Sequence, residues 1–132
     1  MPRYDAQLYD PPAPVANVTL RASNGRAVPD VLLLLDTGAD VTLLPRAAVD
    51  RLGIDFDPSL QYELVGFDGN RSTTQAVQLD MIFLEKTFRG RYLLIDGDRG
   101  ILGRDVLANV MLLLHGPRQE WSELLTAGDS SQ

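Results

Sequence analysis

The residues best suited to chemistry stand at the end of a short apolar run. Val31–Leu35 is followed at once by Asp36-Thr37-Gly38. A carboxylate at the end of a buried strand must have hydrogen-bond partners or a chemical role, because burying an unpaired charge is costly. Gly38 permits a tight turn in which the backbone can donate to the carboxylate, and Thr37 adds a hydroxyl. The pattern predicts that Asp36 is presented in a fixed orientation, as acid–base chemistry requires.

The composition excludes several other chemistries. The chain contains no cysteine, so it forms no disulfide and has neither a thiolate metal site nor a thiol nucleophile. His115 is the only histidine, which excludes multi-histidine metal sites and makes a Ser-His-Asp triad depend on that one residue. The formal net charge of −6 repels phosphate backbones. We therefore expect no metal site of these kinds and no nucleic-acid partner.

Length and hydropathy predict one soluble domain. A chain of 132 residues suits a single domain and buries roughly two-thirds of its unfolded surface. The longest apolar run, Val31–Leu35, is far shorter than a bilayer span, and the first residues do not resemble a signal peptide. We therefore expect a cytoplasmic protein that does not contact membranes.

The local patterns predict many short strands. Apolar–polar alternation indicates strands at Val15–Arg21 and over 72–84, and a shorter strand is expected over Arg91–Ile95. Asn24-Gly25 and Asp68-Gly69 are hairpin signals. Short helices are expected after Pro45 and near 104–108. These elements favour an all-β barrel or sandwich with one or two short helices. We expect an extended N-terminal arm over 1–14, one domain over 15–125 and a polar tail over 126–132.

Three segments together resemble a known family. Asp36-Thr37-Gly38-Ala39-Asp40 is similar to the active-site loop of retropepsin-type (retroviral-type) aspartic proteases. The later run from Gly100 to Leu107 resembles the segment that precedes the single helix of that family. Tyr62–Thr74 lies where the family carries its flap. The segments occur in the family's order over about residues 15–114.

The resemblance implies a fold, an assembly and a reaction. The fold is a retropepsin-like closed β-barrel, with one lobe per chain. Aspartic peptidases activate a water molecule between two carboxylates that share a proton. This chain contains one Asp-Thr-Gly, so the second carboxylate must come from another copy in a two-fold homodimer. The implied activity is hydrolysis of peptide bonds in extended polypeptides without a cofactor. The N-terminal arm and the hairpin over 109–125 depart from the viral pattern.

The resemblance also assigns roles beside the catalytic Asp36. Asp40 and Arg104 match residues that form an ion pair behind the loop, whose loss costs about 3–5 kcal/mol if the pair is buried. On that basis we expect Arg104→Ala to disrupt dimerisation or folding more than chemistry. Ala39 cannot donate to the carboxylate as Ser or Thr does in pepsin-like relatives. We therefore expect an optimum that is weakly acidic to neutral.

The substrate is expected to be an extended peptide that adds to the protein as a strand. By resemblance, one group of residues lines apolar subsites and another belongs to the flap that closes above them. The subsite residues are Leu34, Leu43 and Ile101, and the flap residues are Val65, Gly66, Phe67, Asp68 and Gly69. Apolar side chains beside the cut are the expected preference.

Other interpretations of the same residues remain open. Asp36-Thr37-Gly38 could be an ordinary exit from a strand into a turn. The fold could also serve as a non-catalytic dimerisation or peptide-binding module, although such a module has no need of a buried carboxylate. A β-barrel carrier of lipids or small ligands would not explain the Asp-Thr-Gly turn. Asp96–Gly100 resembles a calcium loop but lacks its distant Glu, so a solvated turn is favoured.

Overall fold

The computed structural model describes residues 2–54, 61–65 and 68–125, which are mostly β-structure. The strands and helices are β1 (Tyr4–Asp5), β2 (Ala13–Arg21), β3 (Ala27–Leu35), β4 (Leu43–Pro45), α1 (Arg46–Asp50), β5 (Gln61–Val65), β6 (Arg71–Phe83), β7 (Lys86–Ile95), β8 (Gly100–Leu102), α2 (Arg104–Leu107), β9 (Leu112–His115) and β10 (Glu120–Glu123). A 3-10 turn over Gly116–Arg118 joins the last two strands. In the described part of the chain, no helix is both long and apolar enough to span a bilayer.

Eight strands form one sheet, in the order β1-β2-β3-β8-β4-β7-β6-β5. β2 also pairs with β6, and β9 and β10 form a separate two-stranded sheet. The parallel pairing of β3 with β8 aligns Leu35 with Leu102. This pairing brings the end of the first apolar run beside the segment that leads into α2. The expectation of a mostly β fold with short helices is confirmed.

The core lies between the long strands. Leu20, Leu33 and Met81 have no exposed surface, and Trp121 is 2% exposed. The indole Nε1 of Trp121 donates a hydrogen bond to the carbonyl of Val15 at 2.8 Å. This contact attaches the β9–β10 hairpin to the start of β2 while satisfying the buried indole N–H.

One strand is longer than the sequence predicts. The apolar pattern indicates a strand only over Arg91–Ile95, whereas β7 begins at Lys86. Leu84 and Glu85 form the turn before it, with φ of 54° and 62°. Two-residue hairpin turns with positive φ usually contain Gly or Asn, and this one contains neither. The turn therefore carries no sequence signal, and the first half of the strand is missed with it.

The N-terminal residues form backbone contacts with β2 on one side and with β10 on the other. β1 pairs with Ala13 and Pro14 of β2. The N–H of Tyr4 donates to the carbonyl of Gln119 at 2.8 Å, and the N–H of Trp121 donates to the carbonyl of Pro2 at 3.0 Å. Residues 2–4 thereby cover the outer edge of β10. The division into arm, domain and tail stays a prediction, and residues 126–132 lie outside the described part.

A cluster of charges crosses three adjacent strands and predicts acid-sensitive stability. Arg21, Asp80 and Arg89 are register partners on β2, β6 and β7, with Asp80 in the middle. Arg89 Nε donates to Asp80 Oδ1 at 2.9 Å, and Arg21 Nη2 donates to Asp80 Oδ2 at 3.3 Å. The hydrogen bond from Arg89, assisted by that from Arg21, holds the pKa of Asp80 below its ordinary value of 3.8.

A carboxylate whose pKa is lowered by folding stabilises the fold above its unfolded pKa. That contribution is lost as the pH falls through the folded pKa. We expect wild type to be more stable than Asp80→Asn at neutral pH, and the difference to shrink as the pH falls below about 4. Urea unfolding of both proteins at a series of pH values measures it. A difference that stays constant down to strongly acidic pH would contradict the prediction.

Candidate active site

Asp36 emerges from β3 into a tight turn that orients its side chain. The N–H of Asp36 donates to the carbonyl of Leu102 at 3.0 Å, which continues the β3–β8 pairing by one residue. The N–H of Gly38 donates to Asp36 Oδ1 at 2.9 Å. The N–H of Ala39 closes the turn by donating to the carbonyl of Asp36 at 3.2 Å. The carboxylate is half-buried and is oriented by the backbone of its own loop.

Arg104 holds this loop against the start of α2 through three contacts. Its N–H donates to the carbonyl of Ala39 at 2.9 Å. Its Nη1 donates to the carbonyl of Thr37 at 2.7 Å, and its Nη2 donates to Asp40 Oδ1. The guanidinium therefore joins two points of the loop, one of which is a main-chain carbonyl. This contact to the backbone is one that the resemblance does not indicate.

The ion pair between Asp40 and Arg104 is solvent-exposed. The two side chains keep 83% and 51% of their surface, respectively. Loss of one partner was expected to cost about 3–5 kcal/mol only if the pair is buried. This pair is exposed, and an exposed ion pair contributes about 0–1 kcal/mol to stability. We correct the expected energy accordingly. Arg104 acts on the loop mainly by positioning it.

A second connection, which the sequence analysis missed, joins Asp105 to Thr42. Asp105 Oδ2 accepts from the N–H of Thr42 at 3.0 Å, and Asp105 Oδ1 accepts from the Thr42 hydroxyl at 2.7 Å. The N–H of Gly103 in turn donates to the Thr42 hydroxyl oxygen at 3.0 Å. Thr42 is 1% exposed, so its polar atoms depend on these partners. The only available signals were a polar residue in an apolar run and an acidic residue in the first turn of a helix.

These contacts predict that Asp105→Ala is more destabilising than Arg104→Ala. The first substitution removes the acceptor of two donors on a buried residue, which costs about 2 kcal/mol. The second removes an exposed ion pair and one hydrogen bond to a carbonyl, and we expect about 1 kcal/mol. Urea denaturation of the two variants beside wild type measures the order. An equal loss, or a larger loss for Arg104→Ala, would contradict it.

Gly103 lets the loop and α2 approach backbone to backbone. A Cβ at this position would lie 2.5 Å from the carbonyl oxygen of Val41 and 3.1 Å from that of Ala39. Gly100 is similarly crowded, since a Cβ there would lie 2.8 Å from the carbonyl oxygen of Leu43. Both glycines belong to the segment that resembles the family, and these close approaches give the physical reason for them.

Asp36 opens onto a cleft of about 720 Å³. Its walls come from the loop after β3, from β4, β7 and β8, and from the β5–β6 hairpin. The described residues that line it are Asp36, Gly38, Ala39, Asp40, Val41, Leu43, Glu63, Val65, Asp68, Asn70, Arg71, Leu93 and Ile101. A cleft of this size is large enough for several side chains of an extended peptide.

Most of the predicted site residues therefore meet around one cleft. Leu34, Thr37, Gly69 and Arg104 are described but are not on its walls. Leu34 pairs within the sheet with Ile101, which does line the cleft. Gly66 and Phe67, two of the predicted flap residues, lie outside the described residues. Val41, Glu63, Asn70, Arg71 and Leu93 are wall residues that the sequence analysis did not name.

The β5–β6 hairpin places charged and apolar groups on the same wall. Glu63 and Arg71 form an ion pair of 3.2 Å across the two strands. In the turn, Asp68 Oδ1 accepts from the N–H of Asn70 at 2.9 Å, while the side chain of Val65 is 64% exposed. Within the described ranges, no three His, Cys, Asp or Glu side chains are grouped so that they could hold a metal ion.

Comparison with known proteins agrees with this geometry. The profile of a family described as "Aspartyl protease" matches residues 16–106, a span that contains the Asp36 loop, the cleft and the start of α2. A solved structure titled "EIAV protease complexed with the inhibitor HBY-793" is similar over 74% of this chain and 86% of its own. The two are 26% identical, with a TM-score of 0.53. No curated protein matches the chain.

The retropepsin-like resemblance is thus confirmed by an independent family match and by a similar solved structure. The matched span is more than half of the chain. This protein belongs to the aspartyl protease family and has a retropepsin-like fold.

Proposed function

We propose that the protein is an aspartic endopeptidase that hydrolyses peptide bonds in extended polypeptides. The observation that carries the proposal is the Asp36 carboxylate, held by the Gly38 N–H on the wall of an open cleft. Family membership supports a protease in general. The cleft and the oriented carboxylate support this reaction in particular.

The chemistry needs a second carboxylate, and a second copy of the chain supplies it. The sequence contains one Asp-Thr-Gly, so the two Asp36 residues meet only in a two-fold homodimer. Two carboxyl groups in contact share one proton, because both cannot readily ionise side by side.

The strand pairings within one chain support a closed barrel in each subunit. β2, β3, β8, β4, β7 and β6 pair in that order, and the pairing of β2 with β6 closes the ring.

In this arrangement the ionised carboxylate takes a proton from the bound water as the water oxygen attacks the scissile carbonyl carbon. The protonated carboxyl group gives its proton to the carbonyl oxygen, which forms a tetrahedral diol. In the breakdown of the diol, one of its hydroxyl groups gives a proton to the ionised carboxylate, the C–N bond breaks, and the amine leaves with the proton of the other carboxyl group, so the pair again holds one proton. The hydrogen bond from the Gly38 N–H and the hydrogen bond from Arg104 to the loop backbone hold the carboxylates in position during these proton transfers.

The walls of the cleft suggest the class of substrate. Val41 and Val65 are 38% and 64% exposed, and both face the cleft beside Leu43 and Ile101. Filling these positions removes apolar surface from water. A polypeptide in extended form would also add backbone hydrogen bonds, in the manner of strand addition. We therefore expect cleavage between apolar residues.

Incubation with a diverse peptide library from about pH 3 to pH 8, read by mass spectrometry, tests the proposal. We expect cuts beside apolar residues and a maximum at weakly acidic to neutral pH, because Ala39 cannot donate a hydrogen bond that would stabilise the carboxylate charge. A maximum at strongly acidic pH would contradict the role given to Ala39. Peptides that bind but are not cut at any pH would instead indicate a peptide-binding module.

A further inference from the structure

We propose that two copies of the chain associate through the free edge of β9, so that the β9–β10 hairpin carries the dimer interface. This inference rests on the proposed function, since a site with one carboxylate per chain is incomplete without a second copy. It goes further by naming the surface, the register and the residue at the symmetry axis.

In the described part of the chain, one edge of β9 is unpaired. β10 pairs with β9 on one side, and residues 2–4 of the same chain cover its other side. The N–H of Leu124 donates to the carbonyl of Met111, so by antiparallel alternation Leu113 also bonds towards β10. The backbone groups of Leu112 and Leu114 then point outwards. They form a short row of donors and acceptors that another strand can join.

The unpaired edge of β9 lacks the features that protect an edge strand from pairing with another chain. β9 reads Leu112-Leu113-Leu114-His115, with no lysine, acidic residue or proline. Met111, Leu113 and Leu124 lie on one face of the hairpin, because Leu113 alternates with the residues that face the core. They are 46%, 49% and 45% exposed, respectively. An apolar face beside an open strand edge is typical of an association surface.

The hairpin is attached to the strands that carry the Asp36 loop. Trp121 of β10 bonds the carbonyl of Val15, and Val15 is the register partner of Leu34 on β3. Asp36 follows two residues later. α2 also contacts the Asp36 loop through Arg104, and this helix ends at Leu107, five residues before β9 begins. These links connect the proposed axis beside β9, through β10 and β2, to the strand that ends at Asp36.

The proposed pairing has one register that uses both outward residues. Leu112 of each copy pairs with Leu114 of the other, and Leu113 faces its own counterpart on the axis. The two Leu113 residues would face each other without exchanging hydrogen bonds, and residues in such a pair have Cα atoms about 4.5 Å apart. That separation falls within the range of about 4.4–6.8 Å for disulfides. The chain has no cysteine of its own, so one introduced cysteine reports on one position.

Crosslinking tests the register. We expect Leu113→Cys to form a disulfide-linked dimer under oxidised glutathione. The matched control is Ser122→Cys, which is opposite Leu113 on β10. Three strand spacings, about 14 Å, separate the two copies of Ser122 in this arrangement, so we expect no crosslink. Crosslinking of Ser122→Cys as fast as that of Leu113→Cys would overturn the proposal, and so would no crosslinking of either.

Sedimentation velocity over a range of concentrations tests the surface. We expect Leu113→Asp, which puts two like charges together on the axis, to raise the dimer dissociation constant at least about a hundredfold. Ala47→Asp, an exposed position on α1, adds the same charge elsewhere and should leave that constant unchanged. The half-exposed position of Leu113 means that circular dichroism should show both variants folded.

The outcomes separate this proposal from the proposed function. A Leu113→Asp protein that dimerises as tightly as wild type, and still cleaves peptides, overturns the interface but supports the protease. A wild-type protein that is active as a monomer at every concentration overturns both. A folded, monomeric and inactive Leu113→Asp protein beside a dimeric, active Ala47→Asp protein supports both.

Discussion

Asp36→Asn is expected to lower kcat/KM for peptide cleavage by more than about a thousandfold. The amide has nearly the shape of the carboxylate and can still accept a hydrogen bond from the Gly38 N–H, so the loop keeps its conformation. It cannot take a proton from water at neutral pH. In a homodimer, the single substitution removes both members of the pair.

The measurement compares wild type with Asp36→Asn on one peptide identified in the library experiment. Asp50→Asn, an exposed carboxylate on α1, removes the same charge away from the cleft and should retain full activity. Thermal unfolding of the three proteins should give similar midpoints. Cleavage that persists in Asp36→Asn would show that the hydrolysis does not depend on this carboxylate, and the proposed function would fail.

Gly103→Ala is expected to reduce both activity and stability. The new Cβ would stand 2.5 Å from the carbonyl oxygen and 2.6 Å from the carbonyl carbon of Val41. These are backbone atoms, so the loop and the start of α2 must separate. Displacing a catalytic group by about 1 Å can cost about a hundredfold in rate. Overpacking of this kind typically costs about 1–3 kcal/mol of stability.

Gly116→Ala provides the matched control for this substitution. A Cβ at Gly116 would have no atom within 4 Å, so the same methyl group should be tolerated there. Activity on the standard peptide and urea unfolding of both variants measure the two effects. Full activity and wild-type stability in Gly103→Ala would mean that the close contact between loop and helix is not required.

The parts of the site that the sequence predicts are those carried by adjacent residues. The turn after β3 follows from an apolar run that ends at Asp36, and the glycine two residues later donates to its carboxylate as expected. The family resemblance added Arg104 to the predicted site, because the segment from Gly100 to Leu107 has a distinctive order of residues. In each case the informative residues stand together in the chain.

The missed parts depend on residues that are far apart in sequence. Asp105 and Thr42 are separated by 63 positions, and neither is unusual in its local context. The cleft wall formed by Glu63 and Arg71 depends on the register of β5 with β6, which alternation alone does not specify. Leu34 shows the same limit, because the pattern places it on a strand but does not indicate whether the cleft reaches it.

The pairing of residues 2–4 with β10 has a consequence for the proposed homodimer. Residues 2–4 lie along β10 of their own chain, so this edge of β10 is covered within one subunit. Two subunits can therefore associate without exchanging residues 2–4, and they can dissociate without breaking these contacts. For the proposed homodimer, we therefore expect activity to fall on dilution and to return on concentration, without unfolding of the subunits.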